Sequence, residues 1–231
     1  NPLAPTAVPK VENFDKIDLD RSMAIYKERL GDIGGMNIVI VGSFDEKEMI
    51  ALLEKYVAGL PATGKSTYTD NKVKPFTGRN DFRFNKGKED KSLIIGVMHG
   101  EIPFAASTAL KFSGMADAMN IIITEEMREK IQGIYGGAAT IEYNKIPTGR
   151  FQLVLQLPCG PAKVDTLIAA FDHELKKMAD AGVAQSYVDK VKKAWLEKHK
   201  VEAKTNEYWL SVLQSINRGE TTADRILNAE K

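Results

Sequence analysis

Arg128 and Tyr135 are the two side chains in this sequence whose types and spacing suit work on a substrate. They lie in Thr124-Glu-Glu-Met-Arg-Glu-Lys-Ile-Gln-Gly-Ile-Tyr-Gly-Gly137. Arginine offers a rigid, permanently charged fork to carbonyl or carboxylate oxygens. A tyrosine hydroxyl can donate to an oxygen that gains charge during a reaction. The stretch reads as the end of a helix, a turn and the start of a strand. Lys130 suits the negative end of the helix dipole. Gly133, Gly136 and Gly137 supply a tight turn and a backbone that another chain can approach closely. Local pattern leaves a second reading open, in which this is a helix C-terminus and a turn with no further role.

Other candidate chemistry is weaker. Gly59-Leu-Pro-Ala-Thr-Gly-Lys-Ser66 matches the spacing of a phosphate-binding loop. That loop works when a strand precedes it and a helix follows, so that N–H groups converge on phosphate. Here a helix precedes it, Pro61 removes a donor, and Ser66–Asn71 lacks the look of a helix start. Gly31, Gly34 and Gly35 precede a strand-like run instead of following one, so they read as a helix stop and not as a dinucleotide fingerprint. His99, His173 and His199 stand at no metal-ligand spacing from one another, so no metal site is expected in this chain. No serine sits in a strand-to-helix elbow of the nucleophile kind. Lys190, Lys192, Lys193, Lys198, Lys200 and Lys204 are interleaved with Asp189, Glu197 and Glu202, which makes a solvated face and not a nucleic-acid stripe.

Composition narrows the class. The apolar share of 43% and charged share of 27% over 231 residues are those of an ordinary globular chain with a sizeable core. The net charge of +1 gives no general case for nucleic acid or an acidic membrane surface. No run approaches the ~18 apolar residues of a membrane span. Cys159 is the one cysteine, so no internal disulfide forms, and it reads as a buried thiol. Asn1-Pro2-Leu3-Ala4-Pro5 lacks the charged start and apolar core of a signal peptide. With Pro2, Pro5 and Pro9 it reads as a linker within a longer or processed polypeptide.

The elements that must position Arg128 and Tyr135 follow from periodicity. Residues 1–17 read as an extended linker. Asp18–Leu30 reads as a helix capped by Asp18, Met36–Gly42 as a β-branched strand, and about Glu46–Ala58 as a second helix, which together make a small α-β-α unit over residues 18–61. Residues 62–79 read as a second linker. Residues 80–231 read as a larger α+β domain. In it, Asn80–Asn85 and Lys91–Met98 are expected strands, Phe104–Lys130 one long helix, and Ala138–Asn144 with Arg150–Leu157 a hairpin across Ile146-Pro-Thr-Gly149. Three further helices follow, at about Ala162–Ala181, Gln185–Lys204 and Asn206–Arg218. The expected fold is α+β, an antiparallel sheet covered by helices on one face.

In this order the segments resemble a known family. Asp18–Leu30, Met36-Asn-Ile-Val-Ile-Val-Gly-Ser-Phe44, Glu54–Pro61, the Arg128–Tyr135 pair with its seven-residue offset, and Thr205-Asn-Glu-Tyr-Trp-Leu-x-x-Leu213 are similar to the pitrilysin/insulinase-type zinc metallopeptidases. The resemblance runs over about residues 15 to 220 and is to the C-terminal, non-zinc-binding portion of bacterial members. Such proteins enclose a chamber between two related halves, and the N-terminal half carries His-x-x-Glu-His and the zinc. This chain has no such motif. The resemblance therefore implies a partner half bearing zinc, a peptide or unfolded protein substrate, and a chain that does not hydrolyse peptides by itself. It implies Tyr135 as an oxyanion donor, Arg128 as a substrate holder, Gly136 and Gly137 as the close-approach backbone, and Ala138–Asn144 as a strand able to pair with a peptide. It leans towards the bacterial periplasm. A non-catalytic structural or partner subunit of the same family is the other reading.

Overall fold

A single hairpin organises the domain. β2 (Ala138–Asn144) and β3 (Arg150–Cys159) run antiparallel, with Ala139 opposite Leu155 and Tyr143 opposite Phe151. Gly149 makes the return possible, because a Cβ there would collide with the Ile102 carbonyl and the Phe104 amide, and its own carbonyl accepts from Ile102 N. β1 (Ser92–Glu101) pairs antiparallel with the other side of β3, giving the order β1-β3-β2. The computed structural model describes residues 10–64 and 67–228.

Period-two alternation divides the sheet into two faces. Ile94, Gly96 and Met98 lie in register with Leu157, Leu155 and Leu153 on the covered face. Leu93, Ile95 and Val97 project from the other face and stay more than half exposed.

Among the described residues, helices cover one side of the sheet. α4 (Ala106–Ile122) runs directly into a π-helix, Ile123–Lys130, and α5 (Val164–Ala181) follows a short 3-10 turn. Met119, Ile123, Met127, Leu157, Leu167 and Phe171 meet there in the main apolar cluster. Burying one such side chain contributes about 1.5–3 kcal/mol. α6 (Gln185–Glu202) lies across α4, where Trp195 passes over Gly114 and donates to Asp117 Oδ2 at 2.6 Å. α7 (Asn206–Asn217) is capped by Thr205, whose hydroxyl accepts from Tyr208 N, and α8 (Ala223–Leu227) ends the described chain.

The α+β class and the one-sided helical cover agree with the sequence expectation. Three expectations are corrected. α1 (Val11–Phe14) is a single helical turn within the stretch read as an extended linker. The expected α-β-α unit has its two helices, α2 (Leu19–Leu30) and α3 (Glu46–Tyr56), but Met36–Gly42 joins no sheet among the described residues. Asn80–Asn85 is likewise unpaired there, and Phe82 is 84% exposed. Both segments have strand-forming side chains. A strand, however, is completed only by a neighbour that takes its N–H and C=O groups. Ion pairs hold the second segment along α5 instead, Arg83 to Asp165 at 2.7 Å and Arg79 to Asp172 at 3.3 Å.

Candidate functional site

Arg128 and Tyr135 each follow a buried anchor. Met127 is fully buried before Arg128, and Ile134 is buried before Tyr135. The seven-residue offset therefore belongs to two pairs at once, apolar anchors that face the core and polar side chains that face solvent. Tyr135 is 88% exposed, and Arg128 has no hydrogen-bond or ion-pair partner among the described residues. Both remain available to an outside group.

The helix that carries Arg128 is not the continuous α-helix expected from sequence. From Ile123 it widens, and Ile131 N bonds to Glu126 O, five residues back. Its apolar residues explain the change. Ile123, Met127 and Ile131 recur every fourth position, which drifts off one face of a helix with about 3.6 residues per turn. A wider π turn keeps them closer to one line. Ile123 and Met127 are both buried, and Ile131 packs against the same cluster.

The π-helix is tied down from α6. Glu125 accepts from Lys190 Nζ at 2.6 Å and from the Tyr187 hydroxyl at 3.2 Å. The Lys190 contact holds the Glu125 carboxyl below its ordinary range, and the same contact raises Lys190. Burial, reinforced by Glu125, pushes the Tyr187 phenol up. Glu126 pairs with Lys130 at 2.6 Å within the helix.

The turn ends differently from the simple glycine stop. Gln132, not Gly133, takes the left-handed conformation, at φ 52°. A side chain there costs roughly 1–2 kcal/mol. Gly133 serves packing, since a Cβ on it would lie 2.9 Å from Leu167 Cδ2, and its N–H reaches the Met127 carbonyl at 3.0 Å. Gly137 is equally confined, because an added Cβ would lie 2.8 Å from Leu157 Cδ2 and 3.1 Å from the Gln156 carbonyl. Gly136, between them, faces open space. The candidate glycines thus separate into Gly137, set against the domain's own core, and Gly136, open to an approaching chain.

Sequence reasoning missed Asn120. Its side-chain amide grips the main chain of Ala139 from α4, Nδ2 donating to the carbonyl at 2.9 Å and Oδ1 accepting from the N–H at 2.8 Å. An asparagine inside an apolar helix was the available signal, since such a residue needs partners once half-buried.

The phosphate-loop spacing has another use. Asp32 accepts from Thr63 Oγ1 at 2.7 Å, Gly64 N at 2.9 Å, Thr63 N at 3.2 Å and Gly34 N at 2.7 Å. The Thr63 hydroxyl, then the backbone donors, hold its carboxyl below the usual range. The N–H groups a phosphate would need at Thr63 and Gly64 already face a carboxylate of the chain itself. Lys65 and Ser66, the last two residues of that pattern, lie outside the described residues.

Zinc does not fit here. His99 Nε2 contacts the Phe76 carbonyl, and His199 Nδ1 contacts the Tyr208 hydroxyl. Among the described residues no three His, Cys, Asp or Glu side chains converge in a way that could hold a metal. Burial raises the Cys159 thiol, which suits an inert core residue.

Solved structures of similar fold include proteases. The chain is similar to the periplasmic protease PqqL from Escherichia coli, with a TM-score of 0.59 at 14% identity over 81% of this chain and 22% of that one. It is similar to the ferredoxin protease FusC, solved as a mutant in complex with Arabidopsis ferredoxin, with a TM-score of 0.62 at 12% identity over 96% of this chain and 25% of that one. The first half of PqqL solved by itself also matches, with a TM-score of 0.51 at 19% identity over 76% of this chain and 40% of that one. This chain therefore spans about a quarter of the full proteases it matches. No curated protein matches. A family profile described as the peptidase M16 inactive domain matches residues 16–195, most of the sequence, and the chain belongs to that family.

Proposed function

We propose that this chain is the C-terminal, substrate-handling half of a pitrilysin/insulinase-type zinc endopeptidase. The observation that carries the reading is that Arg128, on the braced π-helix, and Tyr135, in the turn after it, are each exposed beside a buried anchor. In peptide hydrolysis the scissile carbonyl oxygen gains negative charge. The Tyr135 hydroxyl donates a hydrogen bond to that oxygen, an interaction worth ~3–4 kcal/mol in such sites. Arg128 holds neighbouring substrate carbonyls through its fork. Gly136 lets the peptide main chain come close, and β2 offers it hydrogen bonds. The metal belongs to an N-terminal zinc-binding half.

Alone, the chain does not cleave peptides. The family description as an inactive domain supports this part of the reading. The same description also favours a second reading, a non-catalytic partner subunit. The structural likeness to a periplasmic protease supports a lean towards the periplasm. No helix among the described residues is long and apolar enough to cross a membrane.

The test uses this chain assembled with its zinc-binding half. Arg128→Ala and Tyr135→Phe are compared with the wild type on an unstructured peptide. Loss of turnover at unchanged folding supports the catalytic reading. Full turnover in both variants would sink it in favour of the partner subunit.

A further inference from the structure

Arg128 stands among three carboxylates and pairs with none of them. Glu125, Glu126 and Glu129 share its segment, yet Arg128 has no hydrogen-bond or ion-pair partner among the described residues. An exposed arginine on a helix ordinarily closes an ion pair with an acid three or four residues away. Glu125 is that acid, three residues before Arg128. Its carboxylate is taken by another helix instead, with Lys190 Nζ at 2.6 Å and the Tyr187 hydroxyl donating at 3.2 Å.

Lys190 is itself held for this contact. Its Nζ lies 5.3 Å from the centre of the Tyr187 ring, one turn earlier on α6, and it also sits in the field of Glu129. Glu126 is taken by Lys130 at 2.6 Å. Each of the three acids thus has a lysine close by. The π turn works in the same sense. Its bond from Ile131 N to Glu126 O spans five residues, which brings residues four and five apart together and separates Glu125 from Arg128. Relaxation of the segment to α geometry would make those two neighbours again.

We propose, resting on the peptide-handling role of Arg128 above, that Lys190 is a positioning residue: it occupies the Glu125 carboxylate and so leaves the Arg128 guanidinium unpaired for substrate. Without Lys190, Glu125 turns onto Arg128 and neutralises it before a substrate oxygen arrives. Lys130 does not relieve this, because Glu126 already holds it. The harmful group is the released carboxylate. Removing Glu125 together with Lys190 therefore cures what removing Lys190 alone causes.

The test uses the chain assembled with its zinc-binding half. Phenylglyoxal, which reacts with free guanidinium groups, is followed at Arg128 by peptide mass spectrometry. Steady-state kinetics on an unstructured peptide are measured on the same preparations. In Lys190→Met, Arg128 should label about two- to fivefold more slowly, and KM should rise by a similar factor with little change in kcat, the ratio an exposed helical ion pair supports. The Lys190 side chain is 51% exposed, so this variant should fold. Loosening or unfolding would speed the labelling, so a slower rate reads capture of the guanidinium. Glu125→Gln with Lys190→Met should restore both values, and Lys190→Arg should keep them at the wild-type level. A merely structural tether gives a different pattern, in which the double variant is no better than Lys190→Met. Unchanged or faster labelling in Lys190→Met, or a double variant as slow as the single one, overturns the proposal. Labelling needs no substrate, so failure of the peptide-handling reading shows up separately, as an unchanged KM and kcat in Arg128→Ala.

Discussion

The Glu125 carboxylate meets Lys190 Nζ at 2.6 Å, so the segment bearing Arg128 is fastened to a helix that begins more than fifty residues further along the chain. Glu125 has its carboxyl lowered by that contact, so its contribution to stability is present above the ordinary glutamate range. It is lost as pH falls through the lowered value. Lys190 is raised, so its contribution is lost as pH climbs through the raised value. Thermal unfolding followed from neutral into acid pH should show this acid-side loss in the wild type. The loss should be reduced in Glu125→Gln, which starts with a lower Tm at neutral pH. Identical pH profiles would show that the tether carries no stability.

Tyr135→Phe should lower kcat of the assembled peptidase by about 100-fold or more, the usual effect of removing one oxyanion donor. The Tm should stay within the error of the wild type, because the hydroxyl is exposed. Arg128→Ala should act more on KM if the fork holds the ground-state substrate. Steady-state kinetics and calorimetry on the same preparations check both statements.

The two adjacent glycines should behave oppositely. Gly137→Ala forces a methyl against Leu157 and the Gln156 carbonyl and should destabilise by about 1–3 kcal/mol. Gly136→Ala meets nothing within 4 Å among the described residues and should leave the Tm unchanged, while reducing peptide turnover by obstructing close approach. Denaturant titration separates the pair.

Calorimetry with ATP and magnesium should give no binding heat. Asp32 already fills the donors at Thr63 and Gly64 with a carboxylate. A saturable heat that disappears on Gly64→Ala would reverse this expectation.

Particular elements show what was legible in the residues and what was not. The hairpin across Ile146–Gly149 could be read because alternation and turn chemistry are both local. The helices after Pro161 could be read from their apolar spacing and capping residues. Arg128 and Tyr135 stood out by residue type, and each lies exposed directly after a buried apolar residue, Met127 or Ile134. The failures share a different cause. Met36–Gly42 carries β-branched side chains but has no strand beside it among the described residues, and pairing is a tertiary event that one segment cannot announce. The π-helix depends on how Ile123, Met127 and Ile131 meet a core assembled from distant strands. Asn120 and Ala139 are brought together by the chain reversal at Gly133–Gly137, so neither residue marks the other in the sequence.

The π-helix has a consequence for how this segment tolerates insertions and deletions. Each residue of an α-helix advances the phase by about 100°. Deleting one residue between Ile123 and Lys130 could let the segment relax to ordinary α geometry while Met127 and Ile134 keep their seats in the core. An equal deletion within Ala106–Ile122 has no such slack to absorb it and would turn Asn120 away from Ala139. The eight residues that carry Arg128 thus serve as a phase adjuster, a place where length can change while the elements on either side keep their orientation.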